Sequence, residues 1–129
     1  MLVVGIVVVS HSQKLAEGVK ELAEMMARNV QIAAVGGLEE GILGTSYEKI
    51  SRAVEDVCGM DGAVVLMDMG SAIMTTELVA ENLKDDAIRL VDSPIAEGAV
   101  LAAVAAGGGA DLEEVVRQAE SARNLKKLG

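Results

Sequence analysis

Four short apolar segments constrain the fold of this chain more than any other feature of its sequence. They are rich in β-branched residues, nearly continuous in hydrophobicity, and span residues 2–9, 30–35, 62–67 and 87–91. Runs of this kind are typical of parallel strands that are buried on both faces. Segments with helical periodicity separate them, which gives the order βαβαβαβα plus a C-terminal helix. The sequence therefore predicts an α/β fold with an open, mainly parallel four-stranded sheet, flanked by helices and joined by right-handed crossovers.

The helices are predicted from apolar stripes and start signals. Stripes at helical spacing predict buried faces on the first two helices; their members are Leu15, Val19, Leu22, Ala23 and Met26, and then Ile50, Ala53, Val54 and Val57. Thr45 and Asp111 are each followed three positions later by a glutamate, the spacing of a capping box. Ser93 precedes a proline suited to a first helical position. The final helix is predicted over residues 111–127, with basic residues near its end.

Composition excludes several classes of partner. The 129 residues suit one domain, predicted to span residues 1–129, and a formal charge of −9 repels nucleic acid and anionic membranes. No apolar run reaches the ~20 residues that cross a bilayer, and the first run lacks the features of a signal peptide. The single cysteine, Cys58, excludes an intrachain disulfide and is predicted to be a small buried core residue. We therefore expect a cytoplasmic protein.

Polar residues follow each predicted strand. The first strand is followed by Ser10 and His11, the second by the glycine-rich loop 36–46, the third by residues 68–71, and the fourth by Asp92. Ligands of open parallel sheets bind beyond the carboxyl ends of the strands, so these residues are expected to share one edge of the molecule.

His11, the only histidine, is the predicted nucleophile of this edge. It directly precedes a helix, whose positive dipole end disfavours the imidazolium and stabilises an added anion. A neutral ring nitrogen is the nucleophile that phosphoryl transfer requires, and Asp68 is positioned to accept the N–H of the other nitrogen. Backbone amides and hydroxyls that suit phosphoryl oxygens follow nearby; the predicted phosphoryl-binding residues are Ser12, Gly70, Ser71 and Thr45, the last mainly a helix cap. No metal site is predicted.

Three motifs resemble those of the phosphotransfer subunits of bacterial dihydroxyacetone kinase, which are similar to the mannose-class IIA domains of the phosphoenolpyruvate:sugar phosphotransferase system. They are Ser10-His11-Ser12, the loop from Gly36-Gly37 to Gly44-Thr45-Ser46-Tyr47, and Asp68-Met69-Gly70-Ser71-Ala72. The resemblance covers the whole chain. It implies that His11 is transiently phosphorylated, that Asp68 orients it, and that Ser12, Gly70 and Ser71 line the phosphoryl pocket.

The resemblance also implies partners. The carrier HPr would donate the phosphoryl group, and ADP on the kinase's nucleotide-binding subunit would accept it, so that this chain binds no cofactor itself. The resemblance likewise implies a homodimer. Because no HPr-like or IIB domain follows in this sequence, HPr is expected to be a separate protein, and the kinase is favoured over sugar transport. A IIA component of a mannose-class sugar transporter is the alternative.

Two other classes of protein compete with a phosphohistidine carrier. A receiver-like signalling domain would use Asp68 as its phosphoacceptor, but it needs an acidic pair after the first strand, where this chain has Ser10 and His11. A noncatalytic binding or scaffold subunit would bind a small anion at the same edge without forming a covalent species. The stability of a phosphoryl label in acid and alkali distinguishes a phosphohistidine from the acyl phosphate of a receiver domain, and the absence of any label indicates the binding subunit.

Overall fold

All four apolar segments form strands in the computed structural model, which describes residues 3–58 and 61–129. They are β1 (Gly5–Ser10), β2 (Ile32–Gly36), β3 (Ala63–Met67) and β4 (Ile88–Leu90). Every pairing is parallel, and the order across the sheet is β2-β1-β3-β4. The predicted α/β class and four-stranded parallel sheet are confirmed. Residue 2, where the first predicted strand begins, lies outside the described residues.

Helices cover both faces of the sheet. They are α1 (Gln13–Met26), α2 (Tyr47–Val57), α3 (Ser71–Leu83), α4 (Ile95–Gly107) and α5 (Leu112–Glu120), with 3-10 turns at Glu39–Gly41 and Ser121–Asn124. Alternate side chains of β1 and β3 point to opposite faces and enter two separate aliphatic cores. One core packs against α1, α4 and α5, and the other against α2 and α3. The central strands β1 and β3 therefore hold the turns that follow them in fixed positions.

The buried stripe of α1 differs from the predicted one. Val19 and Ala23 are buried as predicted and Ala16 is buried with them, but Leu15, Leu22 and Met26 are exposed. The reason is that α1 packs against the alanine-rich helix α4, and the side chains that α1 places in their shared core are the small Ala16, Val19 and Ala23. The stripe predicted for α2 is closer, because Ile50, Val54 and Val57 are all buried.

Two of the three predicted helix caps are wrong. Ser46, not Thr45, caps α2, since its hydroxyl accepts the Lys49 N–H while its backbone is extended. Helix α4 begins after Pro94 without a side-chain cap, so Ser93 does not have the predicted role. Asp111 caps α5 as predicted and accepts the Glu114 N–H at 2.9 Å. The Thr45 hydroxyl is therefore free for other contacts.

The C-terminal helix is shorter than predicted. It ends at Glu120 and passes into the 3-10 turn. The basic side chains beyond it pair with other elements instead of the helix's own carbonyl end: Arg123 contacts Asp92 at 3.1 Å and Lys127 contacts Glu97 at 2.6 Å. These ion pairs attach the C-terminal segment to the region where α4 begins.

Cys58 lies at the carboxyl end of α2, partly exposed, and is not the buried core residue that the sequence predicts. Its thiol is 3.9 Å from the Asp85 carboxylate. Burial and, secondarily, the negative charge of Asp85 raise the pKa of this thiol.

Within residues 3–58 and 61–129, no helix has the length and apolar character needed to cross a membrane.

Candidate functional site

The site lies at the carboxyl edge of the two central strands. Strands β1 and β3 are adjacent, with Val9 opposite Met67, so the turn after β1 meets the turn after β3. The Asp68 N–H donates to the Val9 carbonyl at 3.0 Å and extends the pairing into these turns. His11 and Asp68, which are far apart in the sequence, are thereby brought into contact.

Both nitrogens of the His11 ring have a partner. Nδ1 lies 3.0 Å from Asp68 Oδ1, and Nε2 lies 2.9 Å from the hydroxyl of Ser71. The His11 side chain is 31% exposed and that of Asp68 only 9%, so the ring reaches the surface while its carboxylate partner lies beneath it. This is the arrangement predicted for an oriented histidine.

Asp68 accepts hydrogen bonds from several donors at once. Besides the ring, its carboxylate accepts the Ser10 hydroxyl at 2.8 Å and the backbone N–H groups of His11 and Met69 at 2.9 and 2.6 Å. Burial alone would raise the pKa of Asp68, but these hydrogen bonds outweigh it, and the pKa is lowered from its ordinary value. An ionised carboxylate only accepts, so Nδ1 must carry a proton. In the neutral ring, Nε2 then has the free lone pair.

The lone pair of His11 Nε2 faces the start of helix α3. The sequence predicts that α1, which follows His11 directly, supplies the positive dipole end, but Nε2 faces Ser71 at the first position of α3. Gly70 precedes that position with φ 52° and, having no side chain, makes no capping hydrogen bond. Among the described residues, neither the Gly70 nor the Ser71 N–H has a hydrogen-bond acceptor. These groups can stabilise an anion attached to Nε2.

The other two predicted phosphoryl-binding residues occupy different positions. Ser12 caps α1, where its hydroxyl accepts the Leu15 N–H at 3.2 Å, and its own N–H donates to the Ser10 hydroxyl. No contact joins Ser12 to the ring within the part of the chain that the structure describes. Thr45 does reach the site, because its hydroxyl lies 3.1 Å from that of Ser71. His11, Asp68, Ser71 and Thr45 thus form one group of contacting side chains.

Two residues of the site were missed as such by sequence reasoning. Ser10 is fully buried and ties Asp68 to the backbone of Ser12; a serine at the end of an otherwise apolar strand is the signal that could have found it. Gly36 is the second. A Cβ at Gly36 would lie 2.6 Å from the Ser12 carbonyl oxygen and 2.8 Å from that of Ser10. Only glycine therefore allows β2 to pass so close to the turn that bears His11.

Large apolar side chains are exposed on the two segments that contact His11, the start of α3 and the loop before Gly44. Met69 and Met74 flank the start of α3 and are 65% and 70% exposed. Ile42 and Leu43 lie in the loop that contacts the site through the Gly44 N–H, which donates to the His11 carbonyl at 2.9 Å. We call these four residues the apolar rim.

Among residues 3–58 and 61–129, no group of three or more His, Cys, Asp or Glu side chains is placed to hold a metal ion.

Comparison with known proteins identifies relatives along most of the chain. Residues 5–116 match the profile of the EIIA-man family, described as the PTS system fructose IIA component. The phosphotransferase subunit DhaM of the PTS-dependent dihydroxyacetone kinase of Lactococcus lactis is 38% identical over 116 residues, which cover 90% of this chain and 93% of that protein. The phosphoryl donor subunit DhaM of Escherichia coli is 37% identical over 131 residues, 96% of this chain but only 28% of that longer protein.

Solved structures share the fold. A crystal structure of the protein EF1359, described as of unknown function, is 32% identical, superposes with a TM-score of 0.82 and is covered over 94% of its length. The dihydroxyacetone kinase of C. freundii superposes with a TM-score of 0.67 at 16% identity. Only 24% of that kinase chain is covered, and at this identity the likeness concerns the fold alone.

Proposed function

Because this chain belongs to the EIIA-man family of phosphotransferase-system IIA components, we propose that it is a phosphohistidine carrier in which His11 Nε2 accepts and passes on a phosphoryl group. The observation that carries this proposal is the pair of contacts on the ring. An ionised Asp68 holds the Nδ1 proton, and the Nε2 lone pair faces the start of α3.

The proposed reaction needs no proton transfer on this chain. The Nε2 lone pair forms a bond to phosphorus, while the bond from phosphorus to the donor's nitrogen breaks and its electron pair returns to the donor. Asp68 balances the positive charge that develops on the ring, and the Ser71 hydroxyl with the N–H groups of Gly70 and Ser71 binds the phosphoryl oxygens. A role for Ser12 as a further phosphoryl ligand stays a prediction.

The proposed partners are HPr as phosphoryl donor and the nucleotide-binding subunit of dihydroxyacetone kinase, with its ADP, as acceptor. This would make the chain a phosphotransferase subunit, with a transient phosphohistidine and no cofactor of its own. The names of the L. lactis and E. coli relatives, a kinase phosphotransferase subunit and a phosphoryl donor subunit, support the acceptor. A homodimer in the cytoplasm is part of the same proposal.

The apolar rim supports exchange with a protein rather than with a small molecule. Leu43 precedes the glycine that bonds the His11 backbone, Met74 lies in the first turn of α3, and each is 70% exposed. Exposed apolar patches beside a polar site mark contacts between proteins. Methionine adapts its shape to different surfaces, which suits a carrier that contacts a donor and then an acceptor at one site.

A second candidate is the IIA component of a sugar transporter, and the family's description as a fructose IIA component favours it. The two candidates share the chemistry at His11 and differ in the acceptor. A carrier loaded with phosphoryl groups and then offered either the kinase subunit with ADP and dihydroxyacetone, or a mannose-class IIB domain, distinguishes them. We expect phosphoryl loss only in the presence of the kinase subunit.

Intact-mass spectrometry tests the proposal. After incubation with phosphoenolpyruvate, enzyme I and HPr, the wild type should gain one phosphoryl group that survives alkali and is lost in acid. His11→Ala should gain none. His11→Asn is the matched variant, because its amide N–H can replace the Nδ1 contact with Asp68 but offers no nucleophile.

Two outcomes would contradict the carrier. A label that persists in His11→Asn and is lost to alkali and hydroxylamine would indicate an acyl phosphate on Asp68, as in a receiver domain. A wild type that folds and gains no mass would instead indicate a noncatalytic anion-binding subunit.

A further inference from the structure

Two hydroxyl groups continue the line of contacts that begins at the ring. The Ser71 hydroxyl lies 2.9 Å from His11 Nε2, and the Thr45 hydroxyl lies 3.1 Å from that of Ser71. The two residues come from different elements, since Ser71 begins α3 and Thr45 ends the loop after β2. Each hydroxyl has one proton to donate, so the direction of donation along this line has a single solution once one end is known.

Asp68 determines the direction of donation at the ring end of this line. Its carboxylate is ionised and accepts the Nδ1 proton, which leaves Nε2 of the neutral ring as an acceptor. Ser71 must therefore donate its proton to Nε2. The Ser71 oxygen then has only lone pairs to offer Thr45, and Thr45 must be the donor in that contact.

We infer that Thr45 is a positioning residue that acts through Ser71: the hydrogen bond it donates keeps the Ser71 proton directed toward His11 Nε2, and toward the phosphoryl oxygen once Nε2 is phosphorylated. Only the statement about the phosphoryl oxygen rests on the proposed function. The statement about the hydrogen bond to His11 Nε2 concerns the unphosphorylated protein and stands without it.

The same hydrogen bond makes Ser71 a gate for the reaction. While the Ser71 hydroxyl donates its hydrogen bond to Nε2, the lone pair that must bond to phosphorus is occupied. Rotation of the hydroxyl about its Cβ–Oγ bond transfers the hydrogen bond from Nε2 to an incoming phosphoryl oxygen, with no proton leaving Ser71. Thr45 restricts this rotation to acceptors on the ring side, because its own donated bond holds the opposite side of the Ser71 oxygen.

Thr75 ends the line and provides a control. Its hydroxyl is 3.5 Å from that of Thr45, a longer and weaker contact than the 3.1 Å between the Thr45 and Ser71 hydroxyls. Thr75 is also on α3, one turn after Ser71, and has the same side chain as Thr45. Replacing it changes the same chemical group nearby without removing a donor from Ser71.

A double-mutant cycle tests the inference with Thr45→Val, Ser71→Ala and both changes together, and with Thr75→Val and Thr45→Ser for comparison. The first measurement is the nitrogen-15 resonance of His11 Nε2 in unphosphorylated protein, at a pH where the ring is neutral. Loss of a donated hydrogen bond moves this resonance downfield. We expect the full shift in Ser71→Ala, a smaller shift in Thr45→Val, and none in Thr75→Val or Thr45→Ser.

The second measurement is the rate of phosphoryl transfer from HPr. Given the free energy of single neutral hydrogen bonds, we expect a loss of about tenfold for Ser71→Ala and about threefold for Thr45→Val, with Thr75→Val unchanged. Thr45→Val should add nothing in the Ser71→Ala background, because Thr45 acts only through Ser71. Thermal unfolding identifies any variant whose change is a loss of folding.

An Nε2 resonance that does not respond to Thr45→Val, or losses of transfer rate that add in the double variant, would overturn the inference. If His11 accepts no phosphoryl group but the resonance shifts occur as expected, the proposed function fails and the assignment of Thr45 as a donor to Ser71 stands. The two failures are therefore distinguishable.

Discussion

The starts of helices α1 and α3 lie at the same edge of the sheet but are built differently. Helix α1 follows the histidine in sequence and is capped by its own chain, since the Ser12 hydroxyl accepts the Leu15 N–H. Helix α3 begins after Gly70, without a side-chain cap, and its first residue contacts Nε2 of His11. The helix that is adjacent to His11 in sequence is thus not the one that Nε2 faces.

The difference shows how a helix start becomes available to a ligand. A capping side chain satisfies an amide of the first turn and reduces the positive potential there, whereas a glycine leaves amides unoccupied. Asp68 connects the two helix starts, because it binds both the ring and the backbone of His11 while it directly precedes the turn into α3. Changes at these positions test how separate the two helix starts are.

Asp68→Asn should have the largest effect. The carboxylate accepts two donors at each oxygen, so an amide in its place turns two of those contacts into opposed donors. An amide facing Nδ1 favours the tautomer with the proton on Nε2, and we expect the transfer rate to fall by about 10²- to 10⁴-fold, as for other histidines held in the wrong tautomer. Rapid-quench measurement of phosphoryl transfer from HPr provides the test; a rate within a few-fold of wild type would contradict the role of Asp68.

The pH dependence of stability is the control for that variant. Because the pKa of Asp68 is lowered in the folded protein, its stabilising contribution is complete above the unfolded value of about 3.9 and is lost as pH falls through the folded value. The part of the difference in unfolding free energy between wild type and Asp68→Asn that comes from the carboxylate should therefore shrink below about pH 4. Urea unfolding at a series of pH values measures it.

Gly70→Ala should have the next largest effect. The φ of 52° disfavours a side chain, and no heavy atom lies within 4 Å of the added Cβ, so the cost arises from backbone strain alone. We expect a loss of about 1–3 kcal/mol in unfolding free energy, together with slower phosphoryl transfer as Ser71 moves. Gly18→Ala in the middle of α1, where the space around a Cβ is equally empty, should instead add about 0.5–1 kcal/mol. Equal changes in unfolding free energy for Gly70→Ala and Gly18→Ala would contradict the backbone strain expected at Gly70.

Ser12→Ala should have the smallest effect and acts on the other helix start. Loss of the cap on α1 should lower the unfolding free energy by about 1 kcal/mol, measured by urea unfolding, and change the transfer rate less than Ser71→Ala does. A loss of transfer as large as that of Ser71→Ala would indicate that the Ser12 hydroxyl also reaches the phosphoryl group, as the sequence predicts.

Much of this architecture is predictable from local patterns. The apolar runs identify all four strands because strands buried on both faces need continuous apolar sequence. The contact between His11 and Asp68 follows from the parallel order, since the first and third strands are neighbours. Predictions from one-residue signals were less accurate: Thr45 and Ser93 are not the caps that their spacing suggests, because a cap depends on the backbone angles of one residue.

The sequence by itself determined the sheet, the edge at which the polar residues gather, and the histidine and aspartate that meet there, because hydrophobic periodicity and strand order are properties of the chain. Only the tertiary structure decided which helix start faces Nε2, that Ser10 lies beneath Asp68, and that Thr45 reaches Ser71. Those contacts depend on the distance and orientation between separate elements, which packing of the two cores determines and no short stretch of sequence encodes.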